Sequence, residues 1–232
     1  MGSGVTQSAK SLFKATKAKP KHAPAQDPLL HVAESVKPEK ASRREHDFYP
    51  TGQPEAIRGL LYKDGDAIRS CGKVWEPACG DGALVAPIRE AGIPCVASDL
   101  IDRGCPDSCV GDFFAMQPSK ARAIITNPPY NLINARDGHG KWLRHTLDMT
   151  GWDYCALLLS WDWPAARANG LGELLDSNPF SYCYLMRWKL DFTGEGSPPQ
   201  RNAWFVWRRN WPEVPMQMRF MDRVDNRQKQ LL

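Results

Sequence analysis

The sequence contains no run approaching the roughly 20 apolar residues that a membrane-spanning helix needs, although 42% of its 232 residues are hydrophobic. Its start also lacks the charged stretch followed by a long apolar segment that marks a secretory signal. We therefore expect no membrane contact and a cytoplasmic location. The length and the apolar content suit one well-buried domain with tails.

Patterns for disulfides and metals are missing as well. The seven cysteines are odd in number and scattered along the chain, which favours a reducing compartment over a disulfide framework. Cys105 and Cys109 lie close in sequence, but no CxxC pair or nearby histidine gives them the pattern of a zinc site. We expect no metal cofactor.

A glycine turn is present, yet it lacks both familiar phosphate-binding spacings. Residues 74–84 predict an apolar strand that runs into Gly80-Asp81-Gly82 and then into a helical stretch. The turn matches neither GxGxxG nor the GK[ST] of a P-loop, so neither pyrophosphate nor triphosphate is its obvious ligand. A glycine turn at the end of a strand still lets a ligand approach the backbone, next to a helix N-terminus.

Acidic residues follow two further predicted strands. Asp99 ends the strand at 94–98, roughly 20 residues beyond the glycines, where doubly wound folds place an acid that hydrogen-bonds ribose hydroxyls. Asp112 can accept from an adenine amino group, with Phe113 packing against the ring. Single acids after strands are more commonly turn formers or helix caps, so the order of these features favours a nucleoside cofactor.

The tetrapeptide Asn127-Pro128-Pro129-Tyr130 follows the apolar run 123–126 and predicts a strand that ends in a stiff polar turn. Each proline fixes its φ at about −65° and removes a backbone donor. The side-chain carbonyl of Asn127 and the adjacent backbone carbonyl can then accept both hydrogens of a planar NH2 group, which frees its lone pair. Tyr130 offers a face on which a flipped base can stack. The alternative is a proline-rich loop that caps a buried strand.

With these motifs in this order, the chain resembles the S-adenosylmethionine-dependent amino-methyltransferases, most closely the phage and bacterial DNA N6-adenine methyltransferases. The resemblance spans roughly residues 46–208, including a late hairpin at 191–196 and 203–207. It implies an α/β, Rossmann-like class I methyltransferase fold with a mostly parallel seven-stranded sheet, an antiparallel terminal hairpin and helices on both faces. Strands that alternate with helical stretches, such as 154–159 and the helix at 165–175, agree with parallel pairing.

The resemblance also assigns roles. Asn127, Pro128, Pro129 and Tyr130 would form the catalytic loop, and the cofactor would be S-adenosylmethionine. The glycine motif would bind its methionine end, Asp99 its ribose and Asp112 its adenine, while segment 47–51 would help to cover the methionine. The candidate cofactor-binding residues are Tyr49, Thr51, Glu76, Pro77, Ala78, Gly80, Gly82, Asp99, Leu100, Asp112 and Phe113.

Charge and composition divide the chain into three segments. Residues 1–45 carry nine Lys or Arg against four Asp or Glu and few large apolar side chains, which predicts a disordered basic arm. The arm either contacts nucleic-acid phosphates without sequence preference or keeps the protein soluble. Residues 46–212 would form the methyltransferase domain and residues 213–232 a C-terminal tail.

The acceptor stays open at this point. DNA is the expected partner, but release-factor glutamine methyltransferases use the same tetrapeptide on an amide, and RNA adenine or N4 of cytosine are further acceptors. A noncatalytic nucleic-acid-binding module is the alternative from another class.

Among the nine tryptophans, Trp161 and Trp163 either face the substrate or fill the core, whereas Trp204 and Trp207 are expected in the core. The loop 193–201 either closes over the substrate or forms a simple hairpin turn.

Overall fold

The computed structural model describes residues 51–118, 120–134, 136, 138–192, 194, 196, 198, 200–212 and 214–223. The predicted N-terminal arm and Tyr49 therefore lie outside the described residues. The helices in this part are α1 (Glu55–Ser70), α2 (Val85–Glu90), α3 (Tyr130–Ile133), α4 (Lys141–Asp148) and α5 (Leu171–Ser177). The strands are β1 (Val74–Glu76), β2 (Cys95–Asp99), β3 (Ser108–Val110), β4 (Ala123–Thr126), β5 (Tyr154–Ser160), β6 (Tyr182–Met186), β7 (Asn202–Arg208) and β8 (Gln217–Met221).

Within the described residues, the eight strands form one mixed sheet in the order β3-β2-β1-β4-β5-β7-β6-β8. Strands β1 to β5 run parallel, and β7 is antiparallel to both β5 and β6. The predicted Rossmann-like α/β class is therefore confirmed, with one strand more than the seven expected. The additional strand, β8, pairs in parallel with β6 and lies within residues 213–232, for which the sequence predicted no element.

Successive side chains along each strand point to opposite faces of the sheet, and both faces are buried. On β5, Tyr154, Ala156 and Leu158 pack toward α1 and α2, in one buried cluster. The intervening residues of the same strand, such as Leu157, pack toward α3, α4 and α5 in a second cluster. The helices on both faces that the fold class implied are present.

Two helices differ in how local residues set their bounds. Pro87 lies in the first turn of α2, where a backbone donor is not needed. The predicted helix over 165–175 is wrong in its first half. Asn169 and Gly170 adopt φ of 54° and 74°, which interrupts the helix and leaves short 3-10 turns before α5.

A buried carboxylate ties α1 to three tyrosines on two strands. Asp64 of α1 accepts hydrogen bonds from the hydroxyls of Tyr154 at 2.9 Å, Tyr182 at 2.8 Å and Tyr184 at 2.7 Å. Burial and the neighbouring carboxylate raise the pKa of all three tyrosines, so their hydroxyls remain donors. Arg219 of β8 donates to the Tyr184 hydroxyl at 3.2 Å, which brings β8 into the same network.

We predict that Asp64→Ala lowers the free energy of unfolding by roughly 3 kcal/mol, because three buried hydroxyls lose a charged acceptor. Asp66→Ala on the same helix is the control, since its side chain is fully exposed and its ion pair with Arg69 spans 3.7 Å at the surface. That variant should stay within about 0.5 kcal/mol of the parent in urea unfolding. Equal stabilities for the two variants would contradict the role of the network.

Candidate active site

A cavity of about 410 Å³ opens at the carboxyl ends of β1, β2 and β4. The strand order reverses between β1 and β4, because the chain continues to β2 on one side and to β5 on the other. In doubly wound sheets, ligands bind in the crevice that forms at this point. The fold therefore places the cavity where its topology predicts a binding site.

Most of the sequence-predicted site residues meet in the wall of this cavity. They are Thr51, Glu76, Pro77, Ala78, Gly80, Asp99, Leu100, Asp112, Phe113, Asn127, Pro128, Pro129 and Tyr130. Gly82 is not part of the wall. Its φ is 91°, and an added Cβ would lie 3.1 Å from Sγ of Cys105, so glycine is needed there for the turn and its packing.

Asp99 at the end of β2 braces the glycine turn. Its Oδ2 accepts from the backbone N–H of Gly80 at 2.8 Å, and its Oδ1 accepts from that of Ile101 at 3.1 Å. Nε of Arg103 lies 3.9 Å from Oδ1. Each carboxylate oxygen can accept a second hydrogen bond, so Asp99 can hold the turn and bind a hydroxyl at the same time.

Glu76 at the end of β1 is fully buried in the cavity wall. Burial, helped by the charge of Asp99, raises the pKa of its carboxyl from 4.5 to about 8, against the opposing effects of the Thr126 hydroxyl and the Ala78 N–H. Oε1 accepts from that N–H at 3.0 Å. The carboxyl is thus largely protonated at neutral pH, and a cationic group beside it would favour the ionised form.

Asp112 and Phe113 lie in the cavity wall and also have structural roles. Oδ1 of Asp112 accepts from the N–H of Phe114 at 3.0 Å, so the side chain caps a 3-10 turn while it also lines the cavity. The ring of Phe113 stacks on Trp142 with centroids 3.8 Å apart and planes 9° apart. One face of Phe113 is therefore committed to the core, whereas Phe114 is 36% and Leu100 is 55% exposed beside the cavity.

The Asn127 side chain is oriented by Thr51, whose hydroxyl accepts from Nδ2 at 3.1 Å. This contact directs the Asn127 carbonyl oxygen away from Thr51. Thr51 itself belongs to the segment that was predicted to cover the methionine end of the cofactor. Pro129 is extended, with φ of −61° and ψ of 119°, and α3 begins directly after it at Tyr130. The Tyr130 hydroxyl donates to the backbone carbonyl of Leu158 at 3.5 Å and accepts from Nδ2 of Asn202 at 3.3 Å.

Several wall residues were not predicted from the sequence. The connection between β6 and β7 contributes Leu190, Phe192, Pro198 and Gln200, and β7 contributes Asn202. The carboxylate of Asp191 orders this connection by accepting from the backbone N–H groups of Gly194 at 2.8 Å and Gly196 at 2.7 Å. Pro198 and Gln200 belong to the loop 193–201, which borders the cavity through these two residues.

The tryptophans after β5 differ in their surroundings. Trp163 is buried, and its indole N–H donates to the carbonyl of Ile133 at 3.1 Å. Trp161 is 47% exposed, and its backbone N–H donates to the carbonyl of Arg201 at 3.1 Å. Trp204 and Trp207 are buried, as expected for core residues.

Among the described residues, no group of three or more His, Cys, Asp or Glu side chains is arranged to hold a metal ion. The described helices include none with the length and hydropathy needed to span a membrane.

Comparison with known proteins identifies the fold. No family model and no curated protein matches the sequence. The methyltransferase subunit of a type I restriction-modification system from Streptococcus thermophilus is structurally similar, with a TM-score of 0.54 and 11% identity over 79% of this chain and 52% of that one. A Listeria monocytogenes protein described as a class I S-adenosylmethionine-dependent methyltransferase gives a TM-score of 0.50 and 10% identity over 76% and 66%. The chain thus spans about half of the first protein and just under two thirds of the second, and it has the fold of class I methyltransferases.

We predict that Glu76→Gln stabilises the protein increasingly as the pH rises. The pKa of Glu76 is higher in the folded state than in the unfolded state, so between pH 4.5 and about 8 the unfolded state loses its proton first and stability falls. Glutamine has no such titration. Thermal unfolding of both proteins without cofactor, at about pH 5 and about pH 9, should show a melting-temperature difference that grows with pH. A difference that is constant with pH would show that Glu76 is not held neutral in the fold.

Proposed function

We propose that this protein transfers a methyl group from S-adenosylmethionine to the N6 amine of adenine in DNA. The observation that carries the proposal is that one cavity joins a nucleoside-type half, built by the glycine turn and Asp99, to Asn127 and Tyr130. The first half suits the cofactor and the second suits a planar primary amine. The class I methyltransferase fold supports the same activity.

The chemistry of the wall fits this cofactor residue by residue. Glu76 is a buried carboxyl that gains a counter-charge from an ammonium group, and Asp99 has acceptor capacity for ribose hydroxyls. The carboxylate of Asp112 suits the amino edge of an adenine ring. The exposed side chains of Leu100 and Phe114 suit its two apolar faces. When bound, S-adenosylmethionine supplies an electrophilic methyl group on a sulfonium.

The catalytic contribution of the chain is orientation and polarisation of the acceptor amine. The Asn127 carbonyl oxygen accepts a hydrogen bond from one N–H of the amine. This hydrogen bond weakens the conjugation of the nitrogen lone pair with the ring. In this orientation the nitrogen would take the methyl group directly from the bound cofactor, with the electron pair of the broken bond left on the donor. The nitrogen then releases a proton to solvent, since the alkylated amine is a strong acid, so a dedicated general base is not required. Thr51 keeps the Asn127 amide in one orientation throughout.

Trp161 favours a nucleic-acid acceptor over a glutamine side chain. It follows the carboxyl end of β5, at the same sheet edge as the catalytic loop, and is hydrogen-bonded through its backbone to Arg201. An exposed aromatic ring offers a face on which an unpaired base can stack. The restriction-modification subunit among the structural neighbours is in keeping with such an acceptor.

The direct test is transfer of labelled methyl from S-adenosylmethionine to unmethylated duplex DNA, RNA and protein in parallel, followed by analysis of the nucleosides and amino acids. We expect N6-methyladenine in DNA. Label in N4-methylcytosine, in RNA or in glutamine would assign the corresponding alternative acceptor. Cofactor binding without transfer to any of these would support the noncatalytic binding module.

Asn127→Ala should lower methyl transfer at least about 100-fold, because the polarising acceptor is lost. Cofactor affinity, measured by calorimetry, should stay within about threefold, since this contact is made to the acceptor. Asn210→Ala is the control, because Asn210 is exposed beyond the opposite end of β7. Normal methyl transfer by Asn127→Ala, or a loss of transfer fully accounted for by lost cofactor affinity, would contradict the assigned role.

Trp161→Ala should raise the KM for DNA about tenfold while cofactor affinity is unchanged, because a stacking contact with DNA is removed. Phe220→Ala is a matched control, since Phe220 has the same exposed fraction of 47% but lies on the edge strand β8, whereas Trp161 directly follows β5. Equal effects of the two substitutions on the KM would remove Trp161 from the DNA-binding surface.

A further inference from the structure

Asn202 is a fully buried polar residue in the wall of the cavity. It is the first residue of β7 and pairs with Ser160, the last residue of β5. The antiparallel direction of β7 therefore brings its amino end to the sheet edge where the parallel strands end. No part of the proposed function above uses this side chain beyond its contact with Tyr130.

The two ends of the Asn202 carboxamide have different surroundings. Nδ2 donates to the Tyr130 hydroxyl at 3.3 Å and to the backbone carbonyl of Leu159 at 3.4 Å, which occupies both of its hydrogens. Oδ1 is buried and has no hydrogen-bond partner in the part of the chain that the structure describes. Buried acceptors without a partner are rare, and in the wall of a cavity such an atom indicates a donor on the ligand.

The position of Asn202 places this acceptor at the end of the cavity assigned to the methyl acceptor. Asn127 follows β4 and Asn202 begins β7, and β5 lies between these two strands. The backbones of the two asparagines are therefore about 10 Å apart, which is twice the spacing of neighbouring strands. Tyr130 connects them, since its hydroxyl contacts Asn202 and its backbone is three residues from Asn127. A ring stacked on Tyr130 would have its edge next to the Asn202 carboxamide.

We propose that Oδ1 of Asn202 accepts a hydrogen bond from the second N–H of the primary amine of the acceptor base, the first being bound by Asn127, and thereby selects bases that carry an amino group. This inference rests on the proposed function and adds a specificity residue to it. A base with a carbonyl at the same position would place oxygen against oxygen, which the buried site disfavours. Adenine and cytosine satisfy the acceptor, whereas guanine and thymine would present O6 and O4 to it.

Asn202 has a second possible role, in which it only positions Tyr130 through Nδ2. A double-mutant cycle with Asn202→Leu and Tyr130→Phe separates the two roles, because Tyr130→Phe removes the contact between these side chains and keeps the ring. The substrate is unmethylated duplex DNA made by amplification. The measured quantities are the KM for DNA, kcat and the affinity for S-adenosylmethionine, with thermal unfolding as the check of folding.

We expect Asn202→Leu to raise the KM for DNA about tenfold, the size of one hydrogen bond to a ligand, with cofactor affinity unchanged and kcat less affected. Tyr130→Phe should have a smaller effect, and the double variant should be worse than either single variant. If Asn202→Leu does not fold, Asn202→Ala serves in the same cycle.

Three results would overturn the inference. They are an unchanged KM in the Asn202 variant, equal effects of both single variants and the double variant, and a parallel loss of cofactor affinity. All three leave methyl transfer by the unsubstituted protein intact, so the proposed function would survive them. Absence of transfer by the unsubstituted protein to any acceptor would instead remove the proposed function, and this inference with it.

Discussion

The parallel pairing of β1 with β4 is the constraint on which the site depends. Val74 lies opposite Ala123 and Trp75 opposite Ile124, so the two strands end nearly level and their following loops leave the sheet at one edge. Because the strand order reverses here, α2 packs on one face and α3 on the other. The crevice between them brings Glu76 and the glycine turn next to Asn127, although about 50 residues separate them in sequence.

The polar groups of the wall hold one another in place before any ligand binds. Asp99 fixes Gly80, Thr51 fixes the Asn127 amide and Asn202 fixes the Tyr130 hydroxyl, each through a hydrogen bond within the wall. Donors and acceptors that are already oriented need no reorganisation when a ligand binds or when charge develops on it. Glu76 shows the cost, since a buried carboxyl with a raised pKa destabilises the fold near neutral pH.

The predictable part of the site consists of contiguous motifs at the ends of parallel strands. The glycine turn, Asp99 and Asn127 could be found because each follows an apolar run, and Asp112 because it follows a short strand; strand ends of a parallel sheet share one edge. Asn202 could not, because it reaches that edge only through the antiparallel return of β7, and a single asparagine before an apolar strand carries no pattern. Strand β8 was missed for a related reason: Met218 and Phe220 are exposed while Arg219 is half-buried, which reverses the usual alternation.

Strand β7 links the stability of the fold to the geometry of the site. The indole N–H of Trp204 donates to the carbonyl of Ala56 at 2.9 Å, which fixes the start of α1 five residues after Thr51. Thr51 in turn orients Asn127, and two residues before Trp204 the same strand holds Tyr130 through Asn202. The Asp64 network anchors the remainder of α1 to β5 and β6. Asn127 and Tyr130, two of the residues proposed to contact the acceptor base, are therefore supported by one antiparallel strand, so the terminal hairpin of this fold does more than complete the sheet.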